Sequence, residues 1–237
     1  MHKLRPPAFR KIQNLRHSRR SVIGSKPSVV LADRGAIVCV KYNTLVQFGA
    51  ALEAQYRLRY RTFVERRYWS GVRWFHGMEY DQYDTPAAHY LVYLSPEGFA
   101  WGCLRIAPTD RPYMLKDHWP YLCTATALPE SMSVWEMTRL CVDQELPKEV
   151  RRRVRNVLIC ALLEFTLAND IQKLIAVAHP KVWQSVFIDT GWDVKFLGDE
   201  SMLEDGVVRA GIVSVSLPLL KCVRKNLASD GSVLKLE

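Results

Sequence analysis

HYLVYLS at 89–95, FAWGCLRIA at 99–107 and SVWEMTRLCVD at 133–143 decide how this 237-residue chain is read. Each run is short and rich in Val, Leu, Tyr, Phe and Trp, as strands are. A loop punctuated by Pro108, Pro112, Pro120 and Pro129 separates the last two. Upstream, Ala36 to Tyr42 reads as a strand. A helical period follows from Leu45, with Phe48, Leu52, Tyr56 and Phe63 near one face, and then a polar, aromatic loop from Tyr68 to Thr85. Downstream, Pro147 opens a long helix to about Asn169, in the favoured first-turn position. Its apolar face uses Val150, Val154, Val157, Leu158, Ala161, Leu162 and Phe165. A strand at 173–178, a helix from about Pro180, strands at 192–198 and 207–216 and a short helix after Pro218 complete the order. Alternating strands and helices without an internal repeat imply an α/β (α+β) three-layer sandwich.

The formal charge of +9 is a property of one end. Residues 1–50 hold ten Lys or Arg against the single acid Asp33, or 10 − 1 = +9; the remainder holds 33 − 10 = 23 bases and 24 − 1 = 23 acids, or zero. A nucleic-acid partner argued from overall charge therefore fails for the body, and none is expected. Residues 1–34 read as a disordered basic extension and 35–237 as a single domain. No apolar run is long enough to span a bilayer. Six scattered cysteines without a CxxC pair fit thiols in a reducing cytoplasm, and neither they nor the six histidines suggest a metal site. The glycine-rich dinucleotide and phosphate loops and the GxSxG elbow are absent, which disfavours dinucleotide, P-loop and serine-hydrolase chemistry.

Three clusters carry chemistry. Arg59 is followed by Phe63 and Trp69; an acidic loop runs Gly77-Met78-Glu79-Tyr80-Asp81-Gln82-Tyr83-Asp84; Trp135-Glu136-Met137-Thr138-Arg139 lies in an apolar strand, echoed by Arg105 in another. Burying a charge costs several kcal/mol unless it is paired, so these residues face partners or a cleft. One arrangement is an ion-pair network among Arg59, Arg105, Arg139, Asp81, Asp84 and Glu136. Glu136 and Arg139 are three apart and point to opposite faces of a regular strand, so reaching one site requires a bulge or a strand end.

Taken together, Arg59-x3-Phe63-x5-Trp69, Glu79-x-Asp81-x2-Asp84, Leu104-Arg105 and Glu136-x2-Arg139 resemble the LuxI-type autoinducer synthases, the bacterial acyl-homoserine-lactone synthases. The resemblance spans about residues 36–220. RPYMLKDHWPYL resembles the family's next connection, with Trp119 where Phe is usual. It implies an N-acetyltransferase-like splayed mixed sheet flanked by helices, and a cytoplasmic bacterial enzyme. It also implies acyl transfer from acyl carrier protein or acyl-CoA to the amine of S-adenosylmethionine, a substrate and not a cofactor. Lactonisation then releases 5′-methylthioadenosine.

On this resemblance Glu136, with Asp81 second, is the candidate base, and Arg139 joins them as catalytic. Arg59, Phe63, Trp69, Asp81, Asp84 and Arg105 are expected to bind S-adenosylmethionine, the aspartates holding its cations and the arginines its carboxylate. Phe63, Trp69 and Trp74 are candidates for an aromatic wall over the adenosyl group. Trp119, Val177, His179 and Trp183 are expected at the acyl pocket. Val177 stands where 3-oxo members often carry Thr, which implies an acyl group without that oxygen, and Trp183 implies a short, branched or aryl one. His179 also reads as a simple strand-end histidine. Arg151, Arg152, Arg153 and Arg155 in KEVRRRVR suit donor docking or plain helix solvation. The rival readings are an N-acyltransferase with another amine acceptor and a nucleic-acid-binding regulator. The oligomeric state is open.

Overall fold

The structure is a computed structural model that describes residues 35–204, 206–229 and 231–234; the extension expected at 1–34 lies outside the described residues. The strands are β1 (Ala36–Val40), β2 (Trp74–Phe75), β3 (Met78–Glu79), β4 (His89–Leu94), β5 (Ala100–Pro108), β6 (Val134–Val142), β7 (Lys173–Ala178), β8 (Val194–Phe196), β9 (Ser201–Leu203) and β10 (Gly206–Ser214). The helices are α1 (Leu45–Arg59), α2 (Met114–His118), α3 (Lys148–Ala168), α4 (Pro180–Val182) and α5 (Leu217–Leu227). The main sheet runs β1-β4-β5-β6-β7-β10-β8, with β9 on β10 and a separate β2-β3 hairpin.

Alternation along the strands sorts side chains into two apolar layers. Ile37, Leu91, Leu104, Ile106 and Met137 face α3 and α5, with Val154, Leu158, Ala161 and Leu162. Val38, Val92, Cys103 and Cys141 face α1, with Ala51, Leu58 and Phe63. A Cβ at Gly102 would stand 2.7 Å from Val154 and 2.8 Å from Leu158, so glycine is what lets α3 lie this close to β5. This is the mixed, splayed sheet between helical layers that the element order and the resemblance implied.

Three details differ from the sequence reading. The fully buried face of α1 carries Ala51, Gln55, Leu58 and Arg59, while Phe48, Leu52 and Tyr56 are half-buried. The backbone breaks at Phe48 (φ −118°, ψ 20°); of the expected stripe Phe63 is buried in the core, and Phe48 and Leu52 pack against its edge. Pro147 is the cap before the first turn of α3, with extended ψ 146°, one position earlier than expected. The 108–129 connection contains α2 and a 3₁₀ turn at Pro120–Leu122.

Two irregularities shape the centre of the sheet. β6 pairs in parallel with β7 at Val134–Lys173, Trp135–Leu174 and Glu136–Ile175 and no further, so the two strands part just beyond Glu136. On its other side β6 pairs Thr138 with Arg105 and Cys141 with Cys103, so Arg139 and Leu140 oppose Leu104 alone. That is a β-bulge. It reverses the alternation and turns Arg139 to the face that carries Glu136 and Thr138. Arg139 adopts φ 56°, which is strained for a side chain with a Cβ and is held only by what surrounds it.

Candidate active site

Arg59 ends α1 where the chain passes into a π-helical turn, Tyr60–Arg66. Such turns are wider than α and redirect the following side chains. Here Thr62 and Phe63 are buried toward the sheet. The acidic loop closes on itself: Asp81 N–H donates to Asp84 Oδ2 and Tyr83 N–H to Asp81 Oδ1, both at 2.8 Å. These side-chain-to-backbone bonds orient both carboxylates from within the loop, independently of the arginines.

The three arginines meet three carboxylates. Arg59 donates Nε to Glu79 and both terminal nitrogens to Asp84, at 2.8 and 2.9 Å. Arg105 reaches Asp81 and Asp84, and its Nε donates to Thr138 Oγ1 at 3.0 Å. Arg139 donates to Glu79 at 3.0 Å and to Asp81 at 2.8 Å. Asp84 also accepts from Tyr90 Oη at 2.8 Å. The Arg59 and Glu79 side chains are wholly buried at the back, whereas Arg139 is 6% and Asp81 9% exposed at the front.

Electrostatics follow from this closure. Burial alone would raise the Asp84 carboxyl, but Arg59, then Arg105 and the Asp81 N–H, hold it well below the usual carboxylate range. Burial works against the Arg59 cation, yet Asp84 and Glu79 keep it firmly charged. Burial, and then the Asp84 charge, push the Tyr90 phenol up. Removing one partner from such a network costs about 3–5 kcal/mol because a buried charge is left behind.

Glu136 stands apart from the network in which the sequence reading included it. Its oxygens accept the N–H groups of Met114 at 2.9 Å and Leu115 at 2.7 Å, the first turn of α2. Burial raises its carboxyl to about 7, against the opposing pull of those two N–H groups and of Arg105. Met114 Sδ lies 3.3 Å from Arg105 Nη2 and 3.5 Å from Arg139 Nη1, so one residue touches Glu136 through its backbone and two arginines through its side chain. A carboxylate poised near neutrality beside an opening in the sheet is suited to taking a proton.

Aromatic rings cover the front. Phe63 and Trp69 stack with centroids 4.5 Å apart, and the Arg139 guanidinium sits 5.5 Å from the Phe63 ring. Trp74 is 53% exposed, its ring 5.2 Å from that of Tyr60.

The remaining candidates are spread out. Trp119 and Val177 join one apolar cluster with Tyr113, Leu115 and Ile175. Trp183 is buried on the α3 side of the sheet against Phe187 and Phe196, its Nε1 donating to Arg209 O at 2.9 Å. The exposed His179 caps α4, accepting the Lys181 N–H at 3.0 Å. On α3, Arg151 is bonded to Gln144, Arg152 pairs with Glu149 on the surface, and Arg153 Nε is buried without a hydrogen-bond partner. Burial and the neighbouring Arg152 lower the Arg155 guanidinium.

The sequence reading did not select Glu79, Tyr90, Met114 or Thr138 as site residues. Glu79 and Thr138 lie inside the motifs already quoted, and their charge and hydroxyl were the available signal; nothing local marks Tyr90 or Met114. Among the described residues, no group of three or more His, Cys, Asp or Glu is arranged to hold a metal ion, and no helix is long and apolar enough to cross a membrane.

A family profile described as autoinducer synthase matches residues 43–219. The acyl-homoserine-lactone synthase of Aeromonas hydrophila is 32% identical over 157 residues, 65% of this chain and 74% of that protein. The isovaleryl-homoserine lactone synthase of Bradyrhizobium diazoefficiens is 30% identical over 165 residues, 69% of this chain and 73% of that one. A solved structure of BjaI, a CoA-dependent acyl-homoserine lactone synthase with SAM and isopentyl-CoA, superposes with a TM-score of 0.78 at 25% identity, covering 86% of this chain and 93% of that one.

Proposed function

The chain belongs to the autoinducer synthase family and is an acyl-homoserine-lactone synthase, and from that premise we propose how its residues divide the work. Glu136 takes a proton from the S-adenosylmethionine ammonium. The freed amine attacks the acyl thioester carbon, an amide forms and the thiol leaves. The methionyl carboxylate oxygen then attacks the carbon bearing the sulfonium; the C–S bond breaks and neutral 5′-methylthioadenosine departs with the lactone formed.

The observation that carries this reading is the isolation of Glu136: a buried carboxyl poised at about 7, outside every ion pair among the described residues, where β6 and β7 part. Charge supports it. Arg59, Arg105 and Arg139 balance Glu79, Asp81 and Asp84, so ionised Glu136 leaves the site at −1. S-adenosylmethionine carries an ammonium, a sulfonium and a carboxylate, a net +1.

The same geometry redistributes the roles expected of the other residues. Arg59 and Asp84 are saturated by protein partners and act as positioning residues behind the site. Asp81, Arg105 and Arg139 form the front edge that the substrate meets, with Phe63 and Trp69 against its adenosyl group.

The acyl arm enters where β6 and β7 part. Val177 and Trp183 lie on opposite faces of the sheet, so a chain passing through that opening meets Val177 first and ends against Trp183. This favours an acyl group without a 3-oxo oxygen, short, branched or aryl. Arg151, Arg152, Arg153 and Arg155 at the start of α3 place a basic patch that suits the phosphate of a pantetheine-bearing donor, acyl-CoA or acyl carrier protein. Reaction in a bacterial cytoplasm, with S-adenosylmethionine as substrate and neither a cofactor nor a nucleic-acid partner, completes the proposal.

The test is purified chain with S-adenosylmethionine and a panel of acyl-CoA and acyl-carrier donors, with lactone and 5′-methylthioadenosine read by mass spectrometry. Equimolar products from a short donor lacking the 3-oxo group support the reading. Clear preference for long 3-oxo donors overturns the acyl assignment, and no lactone from any donor overturns the mechanism.

A further inference from the structure

We infer that Met114 is a positioning residue whose thioether holds Arg105 and Arg139 as a displaceable acceptor until the substrate's carboxylate takes its place. Carboxylates match most of the two guanidiniums. Arg105 donates Nη1 to Asp81 and Asp84, and Nη2 to Asp81 at 3.0 Å. Arg139 donates Nε to Glu79, and Nη2 to Glu79 and Asp81. Two nitrogens then converge on one sulfur, Met114 Sδ, 3.3 Å from Arg105 Nη2 and 3.5 Å from Arg139 Nη1. Among the described residues Arg139 Nη1 donates to no carboxylate.

A thioether is a weak acceptor. A carboxylate facing two guanidiniums makes charge-assisted bonds, which are shorter and much stronger. An arriving anion therefore outcompetes the sulfur. Met114 is placed for the exchange: it is 8% exposed, at the front edge with Arg139 and Asp81, whereas the next residue, Leu115, is wholly buried.

The side chain can swing without moving α2. Leu115 anchors the helix in the apolar cluster with Tyr113 and Ile175. Tyr113 Oη donates to Pro129 O at 2.8 Å, and Asp117 accepts from Tyr83 Oη at 2.9 Å. The N–H groups given to Glu136 belong to the backbone and stay with it. An unbranched side chain with three rotatable bonds re-packs readily. Substrate binding thus exchanges one acceptor for another beside an undisturbed base. That the anion is the methionyl carboxylate of S-adenosylmethionine rests on the function proposed above.

The test is calorimetric titration of the full chain with S-adenosylmethionine and with decarboxylated S-adenosylmethionine, which lacks the carboxylate. Met114→Gln offers the arginines an amide oxygen, a stronger acceptor than sulfur. It is expected to weaken S-adenosylmethionine about tenfold and to leave the decarboxylated ligand within about twofold. Met114→Leu conserves volume and removes the acceptor; it is expected to tighten S-adenosylmethionine about threefold and to leave the other ligand unchanged. A packing role would move both ligands alike. Circular dichroism verifies folding, and if the Gln variant does not fold the Leu variant decides alone. Equal shifts for both ligands, no shift for S-adenosylmethionine in a folded variant, or a selective loss with Met114→Leu overturns the inference. A parental chain that binds neither ligand overturns the S-adenosylmethionine reading itself, and the inference with it.

Discussion

Two buried acidic regions lie side by side in this protein and are built on opposite principles. Around Arg59, three cations and three carboxylates satisfy one another, and Asp84 alone accepts from Arg59, Arg105, Tyr90 and its own loop. Glu136 has no ion-pair partner among the described residues; its oxygens accept two backbone N–H groups, and Arg105 acts on it only from a distance. The first arrangement holds Asp84 ionised across the physiological range, and the second leaves Glu136 near its midpoint. A closed network makes a scaffold; a buried carboxyl outside any direct ion pair makes a base.

Glu136→Gln is the sharpest way to break that contrast. Turnover is expected to fall about 10²–10⁴-fold, the usual contribution of a positioned base, while the variant remains folded by circular dichroism. Near-parental turnover in a folded variant would transfer the base role to Asp81. Arg59→Ala probes the other side and is expected to cost about 3–5 kcal/mol of stability in urea unfolding, because Glu79 and Asp84 lose their partner in a buried site. A loss below about 1 kcal/mol would show that the network contributes no more than a surface pair.

The pH profile separates the regions without mutation. Glu136 must be ionised to accept a proton, so kcat/KM is expected to fall as pH drops below about 7. The stability sign is opposite. The folded state holds this proton more tightly than the unfolded chain, so Glu136 contributes stability below its ordinary carboxyl range and loses it as pH rises through about 7. Asp84, depressed by its arginines, loses its contribution only in strong acid. A rate profile flat from pH 6 to 8 would sink the assignment of Glu136. The smallest effect is expected from Tyr90→Phe, which removes one of several donors to Asp84 and should cost about 1 kcal/mol of stability, measured by thermal unfolding.

Much of the fold was legible because strand and helix periods are local. The runs at 89–95, 99–107, 133–143 and 173–178 all became central strands, and the helix after Pro147 ended within a residue of its expected limit. On α1 the apolar period marks the edge of the buried face and its centre is Ala51, Gln55, Leu58 and Arg59, because the backbone breaks at Phe48, which no composition signal marks. Glu136 was grouped with the ion pairs because charge type is local information while the identity of a partner is not. The opposed positions of Val177 and Trp183 are likewise hidden in the sequence, since the end of β7 and the turn of α4 intervene.

By itself the sequence determined which residues carry charge, their order and spacing, and hence the family and the kinds of element that hold them. Tertiary structure alone decided which charges cancel. The bulge at Arg139 and Leu140 turns a guanidinium onto the face of Glu136, and the first turn of α2 supplies that carboxylate with N–H groups in place of an ion-pair partner. Ion pairing and desolvation act over a few ångströms between residues far apart in the chain, so only the folded arrangement separates the base from the scaffold beside it.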